Sequence, residues 1–132
     1  MTETLTGVWD GSFLQPGVGT VTFLATLIEA GGALTGSMTE PCMMPGCPVA
    51  THNASIAGSR SGSAVSFVKR YEPPGFGYSS VFYEGSVNAE ATEIDGRWKL
   101  RDNSVTGTFL MIRSGKPAEA VAREERAKEP AR

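Results

Sequence analysis

The chain reads as an all-β domain, an eight-stranded antiparallel up-and-down β-barrel. Three observations predict it. Eight short runs of alternating apolar and polar residues fill positions 4–113 and leave almost no room for a helix. Each run stops at a polar or Gly/Pro-rich turn, and 16 Gly and 8 Pro in 132 residues supply those turns. The spacing is even and the links are short, so each strand can pair with its predecessor. Eight strands are enough to close such a meander and remove its two adhesive edges. A sandwich is the alternative, but it would show longer Greek-key crossovers.

The first strand is expected over Leu5–Leu14, broken by Pro16-Gly17. The second, Thr20–Ile28, ends at Ala30-Gly31-Gly32, a hairpin turn that tolerates positive φ. The third, Ala33–Glu40, is stopped by Pro41, and a loop of about ten residues follows (PCMMPGCPVAT). The fourth, His52–Gly58, and the fifth, Ala64–Tyr71, are joined by SRSGS, a second hairpin signal. EPPGFG makes a stiff turn into the sixth, Tyr78–Val87. NAEAT leads to the seventh, Glu93–Leu100, and RDNS to the eighth, Val105–Arg113. Residues 1–113 thus form one barrel domain. The remainder, 114–132, is a charged tail rich in Ala, Glu and Arg, helical or disordered, with too few apolar residues to dock firmly. A contact with a partner subunit is its sharper reading.

Composition narrows the function. A formal net charge of -2 leaves no basic footprint for nucleic acid. No apolar stretch approaches the roughly 20 residues of a membrane-spanning helix, so no membrane partner is expected. The start, MTETLTGVWDG, has no charged-then-apolar leader, so a cytoplasmic location is expected. There Cys42 and Cys47 would stay reduced; in an oxidising compartment they could close only a short local loop. Cys42, Met43, Met44 and Cys47, with His52 beyond, are soft ligands that suit Cu(I). Yet C-x4-C with a single His lacks the paired spacing of a zinc site. No metal is expected, and the loop reads better as a flap over the barrel mouth with adaptable methionine contacts. Without a phosphate loop or a dinucleotide fingerprint, no cofactor is expected either. With one His and no nucleophile elbow, nucleophilic catalysis has little support.

Side chains alternate across a strand, so each run offers two faces. In the seventh strand Ile94, Gly96, Trp98 and Leu100 oppose Glu93, Asp95, Arg97 and Lys99, and the inward set is plain. The same reasoning turns Val81, Tyr83, Gly85 and Val87 inward from the sixth strand, and Val65, Phe67, Lys69 and Tyr71 from the fifth. It does the same for Leu34, Gly36, Met38 and Glu40 in the third, and for Gly107, Phe109, Met111 and Arg113 in the eighth. Three of these inward residues, Glu40, Lys69 and Arg113, carry charge. A buried charge needs a partner or a wet cavity. Gly7, Gly36, Gly58, Gly85, Gly96 and Gly107 also face inward. They are expected to leave space or to bend the strands, which favours a cavity over a filled interior.

Gly7-Val8-Trp9 in the first strand, with Arg113 ending the last, resembles the signature shared by lipocalin-type, fatty-acid-binding and avidin-type barrels. The resemblance implies a structural plug, with Trp9 closing one end and Arg113 packed across its ring. The order GVW, GALTG (32–36), YEG (83–85), IDGRWKL (94–100) looks most like streptavidin and its relatives and spans nearly the whole barrel. It implies that Trp98 and Leu100 line a pocket. Tyr83 falls where that family often has a second Trp, and Met38 falls at the position of a Tyr that bonds a ureido group. The family's inward Asn and Asp are not matched, since Gly11 and Gly107 stand at those positions. A ureido ligand would leave polar groups unpaired there, at about 1–3 kcal/mol each, so the fold is implied and biotin binding is not. The pattern FxKxY, YxG, GxW, GxFxMxR also looks like a group of small stand-alone bacterial barrel proteins. That likeness implies a fold and no activity.

The expected function is binding of a small, mostly apolar molecule inside the barrel, without catalysis. Met38, Phe67, Val81, Tyr83, Trp98, Leu100, Phe109 and Met111 would supply contact area, and Glu40, Lys69 and Tyr71 a polar end. An anionic ligand group would be met by Lys69. One alternative is a cofactor-free cyclase or isomerase, with Glu40, Lys69 or Tyr83 as its catalytic candidates. Another is an interaction module whose barrel is filled. Outward Phe82, Val68, Leu110 and Ile112 are the residues from which a homodimer interface would be built.

Overall fold

Period-two alternation carries through the folded chain: β2 (Gly19–Ala30) buries Val21, Phe23, Ala25 and Leu27 and exposes the residues between them. The structure, a computed structural model, describes residues 3–41, 46, 51–72, 80–100 and 105–114. The other strands are β1 (Gly7–Gln15), β3 (Ala33–Pro41), β4 (Thr51–Ser61), β5 (Ala64–Glu72), β6 (Val81–Val87), β7 (Glu93–Leu100) and β8 (Thr106–Arg113). They form one closed antiparallel barrel in sequence order. Closure is made by β1 and β8, paired from Trp9↔Arg113 to Phe13↔Phe109. The loop of Cys42, Met43, Met44 and Cys47, the turn at 73–79, residues 101–104 and the tail at 115–132 lie outside the described residues.

One end of the barrel has only tight links. Gly31 and Gly32, at φ +60° and +86°, make a two-residue turn between β2 and β3 that requires positive φ at both positions. Gly62 at φ +59° opens the equivalent turn between β4 and β5. The Asn88 side chain organises the third link, its Oδ1 accepting from the backbone N–H of Thr92 and Glu93 at 2.8 and 2.9 Å.

The N-terminal segment seals this end. The first strand begins at Gly7, two residues later than the alternation suggests, because Leu5 leaves the ladder and is fully buried beneath the barrel. The Trp9 indole donates to the Leu5 carbonyl at 2.9 Å, and the Leu5 N–H donates to Glu29 Oε1 at 2.9 Å. Arg60 bonds the same Glu29 oxygen at 3.1 Å and the Glu3 carbonyl at 2.7 Å. The Arg113 guanidinium carbon lies 4.9 Å from the Trp9 ring centre, and its Nη2 donates to the carbonyls of Thr4 and Thr6. Cation–π attraction and two carbonyl caps place this Arg half-buried at the rim of the closed end.

Of the two roles expected of the inward glycines, space or a bend in the strand, free space is not what most of them supply. A Cβ added at Gly58, Gly85 or Gly96 would collide with the backbone of the paired strand, and one at Gly11 with the Phe23 ring. They permit close approach and strong coiling, and the space they free is already taken. Gly107 has the clearest role. The Trp98 indole of β7 passes over it, crosses β8, and donates to the Leu14 carbonyl of β1 at 3.2 Å. A Cβ at Gly107 would stand 2.6 Å from the Trp98 Nε1 and would also strike the Leu14 carbonyl oxygen.

Leu110 and Ile112 lie on the outer face of β8, beside Ser12 and Asp10 of β1, whereas Val68 and Phe82 pair with each other across β5 and β6. The four apolar residues therefore occupy two separate sides of the barrel. Leu110 instead neighbours the face where Val8, Leu24 and Ile28 are exposed.

Gly107→Ala should lower the free energy of unfolding by about 1–3 kcal/mol through overpacking against Trp98. Denaturant unfolding followed by tryptophan fluorescence measures it; an unchanged midpoint would mean that the crossing indole is not constrained by this residue.

Candidate functional site

The closed end and the middle of the lumen are filled. Trp9, Leu5, Leu27, Leu34, Ile94 and Met111 are all fully or almost fully buried. Above them Phe67 and Tyr83 stack with centroids 4.7 Å apart, and Phe109 meets Tyr83 edge-on at 4.9 Å. Beyond this aromatic layer the barrel opens into a pocket of about 270 Å³ at the other end.

Neighbouring strands contribute the pocket wall in pairs, as the alternation requires: Lys69 and Tyr71 from β5, Val81 and Tyr83 from β6, Trp98 and Leu100 from β7. Phe13, Gln15 and Pro16 complete it from β1 and its turn, and Val105 from the start of β8. Of the eleven residues expected to bind a ligand, six therefore share one pocket. Met38, Phe67, Phe109 and Met111 lie in the packed interior and do not line it. Glu40 stands behind Lys69 and is not part of the lining. Phe13 and Gln15 are lining residues that the sequence reading does not supply, although alternation puts Trp9, Gly11, Phe13 and Gln15 on one face of β1.

The polar cluster is built across β4. Glu40 of β3 and Tyr71 of β5 are both brought to this end by the ladders they share with β4, and short Ala54 lies between Met38 and Tyr71 in the register. Lys69 Nζ donates to Glu40 Oε2 at 3.0 Å, and the Tyr71 hydroxyl donates to Glu40 Oε1 at 2.6 Å. His52, opposite Glu40 in the register, is buried and meets the Tyr71 ring edge-on at 5.7 Å. Lys69 is only 1% exposed, yet it is one of the residues that line the pocket. It lies 4.7 Å from the ring centres of Phe13 and Tyr71 and 5.4 Å from that of Tyr83. The two inward charges anticipated on β3 and β5 thus neutralise each other.

Burial pulls the Lys69 ammonium below its ordinary value, against the opposing pull of Glu40. Burial, and then the Glu40 charge, push the Tyr83 phenol well above its ordinary value. Tyr83 therefore stays a neutral hydroxyl through and beyond physiological pH.

Among the described residues no group of three or more His, Cys, Asp and Glu side chains could hold a metal ion. No helix in them is long and apolar enough to cross a membrane. The amino-acid sequence matches no protein-family model, and no curated protein is similar to it.

Two outcomes follow from the cluster. Lys69→Met should cost about 3–5 kcal/mol, because it strands the Glu40 carboxylate in a buried site without its counter-charge. The double variant Lys69→Met/Glu40→Gln should recover at least about half of that loss. Urea unfolding of the three proteins measures both, and a double variant no better than the single one would show the pair is not coupled. Tyr83 ionises near 10 in the unfolded chain and well above 10 in the folded one. Its contribution to stability is therefore complete below that pH and is lost as the pH rises through the folded value. Lys69 has the opposite sign, since its contribution is lost as the pH falls from 10.5 towards its lowered folded value. Between about pH 9.5 and about pH 11 the parent should lose stability relative to Tyr83→Phe. Parallel curves for the two proteins would show that Tyr83 does not titrate differently on folding.

Proposed function

We propose that the protein binds a small, mostly apolar molecule in the mouth of the barrel. The observation that carries this reading is the pocket of about 270 Å³ above a filled core, with Tyr83, Trp98, Val81 and Leu100 as apolar wall and Lys69 as polar end. Its size falls just under the roughly 300–1,000 Å³ of sites for drug-sized ligands, so the ligand is small. The mixture of aromatic walls and a few convergent polar groups is that of a recognition site. The resemblance to streptavidin and its relatives supports the same reading, since those barrels take ligands at the open end and Trp98 and Leu100 match lining positions. The Trp9–Arg113 contact at the opposite end agrees with it.

Binding is favoured over turnover by the state of Glu40. Each of its oxygens already accepts a strong bond, one from Lys69 and one from Tyr71, so the carboxylate has no oxygen left unengaged to act as a base. The filled-barrel alternative is weakened by the open mouth, although the lower lumen is packed as that alternative requires.

A ligand that occupies this pocket stabilises the folded state by RT ln(1 + [L]/Kd), about 2.7 kcal/mol at a hundred times Kd. A thermal-shift screen of small apolar molecules should find such ligands, and native mass spectrometry should show any retained through purification. Leu100→Trp fills the pocket from its rim and should abolish both signals while the fold persists. Binding that survives Leu100→Trp places the ligand elsewhere and overturns the proposal, as does a screen without a binder.

A further inference from the structure

Resting on that reading, we infer that the ligand is a neutral, flat molecule that presents a carbonyl-type acceptor oxygen to Lys69, rather than the anionic group a lone lysine would select. The inference comes from how the Lys69 ammonium is shared out. It has three N–H donors, and among the described residues its hydrogen-bond partner is Glu40 Oε2 alone. On its other sides are the rings of Phe13, Tyr71 and Tyr83, which line the pocket together with Lys69. Ring faces attract a cation but satisfy an N–H less well than an oxygen does. The pocket therefore holds a donor that is positioned, nearly fully buried and only partly used.

Charge decides which oxygen fits. Glu40, 3.0 Å away, already cancels the lysine charge, so the described lining residues present no uncompensated charge. A carboxylate or phosphate would have to leave water and lie beside the Glu40 carboxylate, and among the described lining residues Lys69, already paired with Glu40, is the only charged side chain to balance it. A ketone, aldehyde or amide oxygen accepts the spare N–H without adding charge. Tyr83, held in its protonated form by burial and by Glu40, is another group on the same wall that keeps a proton to donate. Shape points the same way: Phe13 and Trp98 meet edge-on at 6.0 Å, and with Tyr71 and Tyr83 they offer the ring faces and edges against which a planar molecule packs.

The test compares three probes with one ring system: naphthalene, 2-naphthamide and 2-naphthoate. Affinities for the full chain are measured by quenching of tryptophan fluorescence and by calorimetry. The amide should bind about ten-fold more tightly than naphthalene, the difference of one hydrogen bond to a charged donor, and more tightly than the naphthoate. In Lys69→Met/Glu40→Gln, which removes both charges together, the advantage of the amide over naphthalene should vanish while naphthalene still binds. Tighter binding of the naphthoate, or an amide advantage that survives the double variant, overturns the inference and leaves the pocket standing as a ligand site. If none of the three binds the parent while other apolar molecules do, the acceptor inference is wrong. If nothing apolar binds, the reading of the pocket fails with it.

Discussion

A closed tube of eight strands encloses a lumen about as wide as the side chains that must point into it. Everything else in this molecule follows from that limit. Closure through the β1–β8 ladder gives every second residue of all eight strands no other place to go. Trp9, Leu5, Leu34 and Met111 fill the closed end, and the Phe67–Tyr83–Phe109 layer fills the middle. Among the described residues, the lumen pocket lies where the tube opens. Trp98 connects closure to that space, since its indole reaches over Gly107 to the Leu14 carbonyl and its ring then stands in the pocket wall.

The polar cluster at the mouth has a different logic from the core. A buried ion pair gains little net stability, because desolvating both charges offsets most of their attraction. What the Glu40–Lys69–Tyr71 arrangement does supply is a fixed orientation. The carboxylate holds the ammonium from one side and the tyrosine hydroxyl holds the carboxylate from the other. An ammonium on a flexible four-carbon stem is thereby kept at one place in the wall, between three rings and the opening. Preorganisation of this kind lowers the entropy cost of binding whatever accepts from it.

Much of this was legible in the order of residues. Strict alternation in EIDGRWKL, VFYEG and AVSFVKRY assigned the inward faces of β5, β6 and β7, and the structure agrees residue by residue. The inward charges at 40 and 69 were visible as anomalies for the same reason. Depth was not legible. Met38 and Glu40 share a face two residues apart, yet one belongs to the packed core and the other to the polar cluster. Alternation says inside or outside, whereas height along the barrel depends on the stagger of each ladder and on which end the N-terminal segment seals. The glycines left two readings open for a related reason: a missing side chain in a sequence means either space or a bend, and only the neighbouring strand shows whether that space is already filled.

The sequence by itself determined the class of fold, the strand succession and the set of side chains committed to the lumen, because these depend on period, turn chemistry and nearest neighbours along the chain. The tertiary structure alone decided where the lumen stays open and that Glu40 cancels Lys69. It also decided that Gly107 exists to let an indole pass. Those are distances between residues dozens of positions apart, fixed only once eight ladders register together and the sheet has closed on itself.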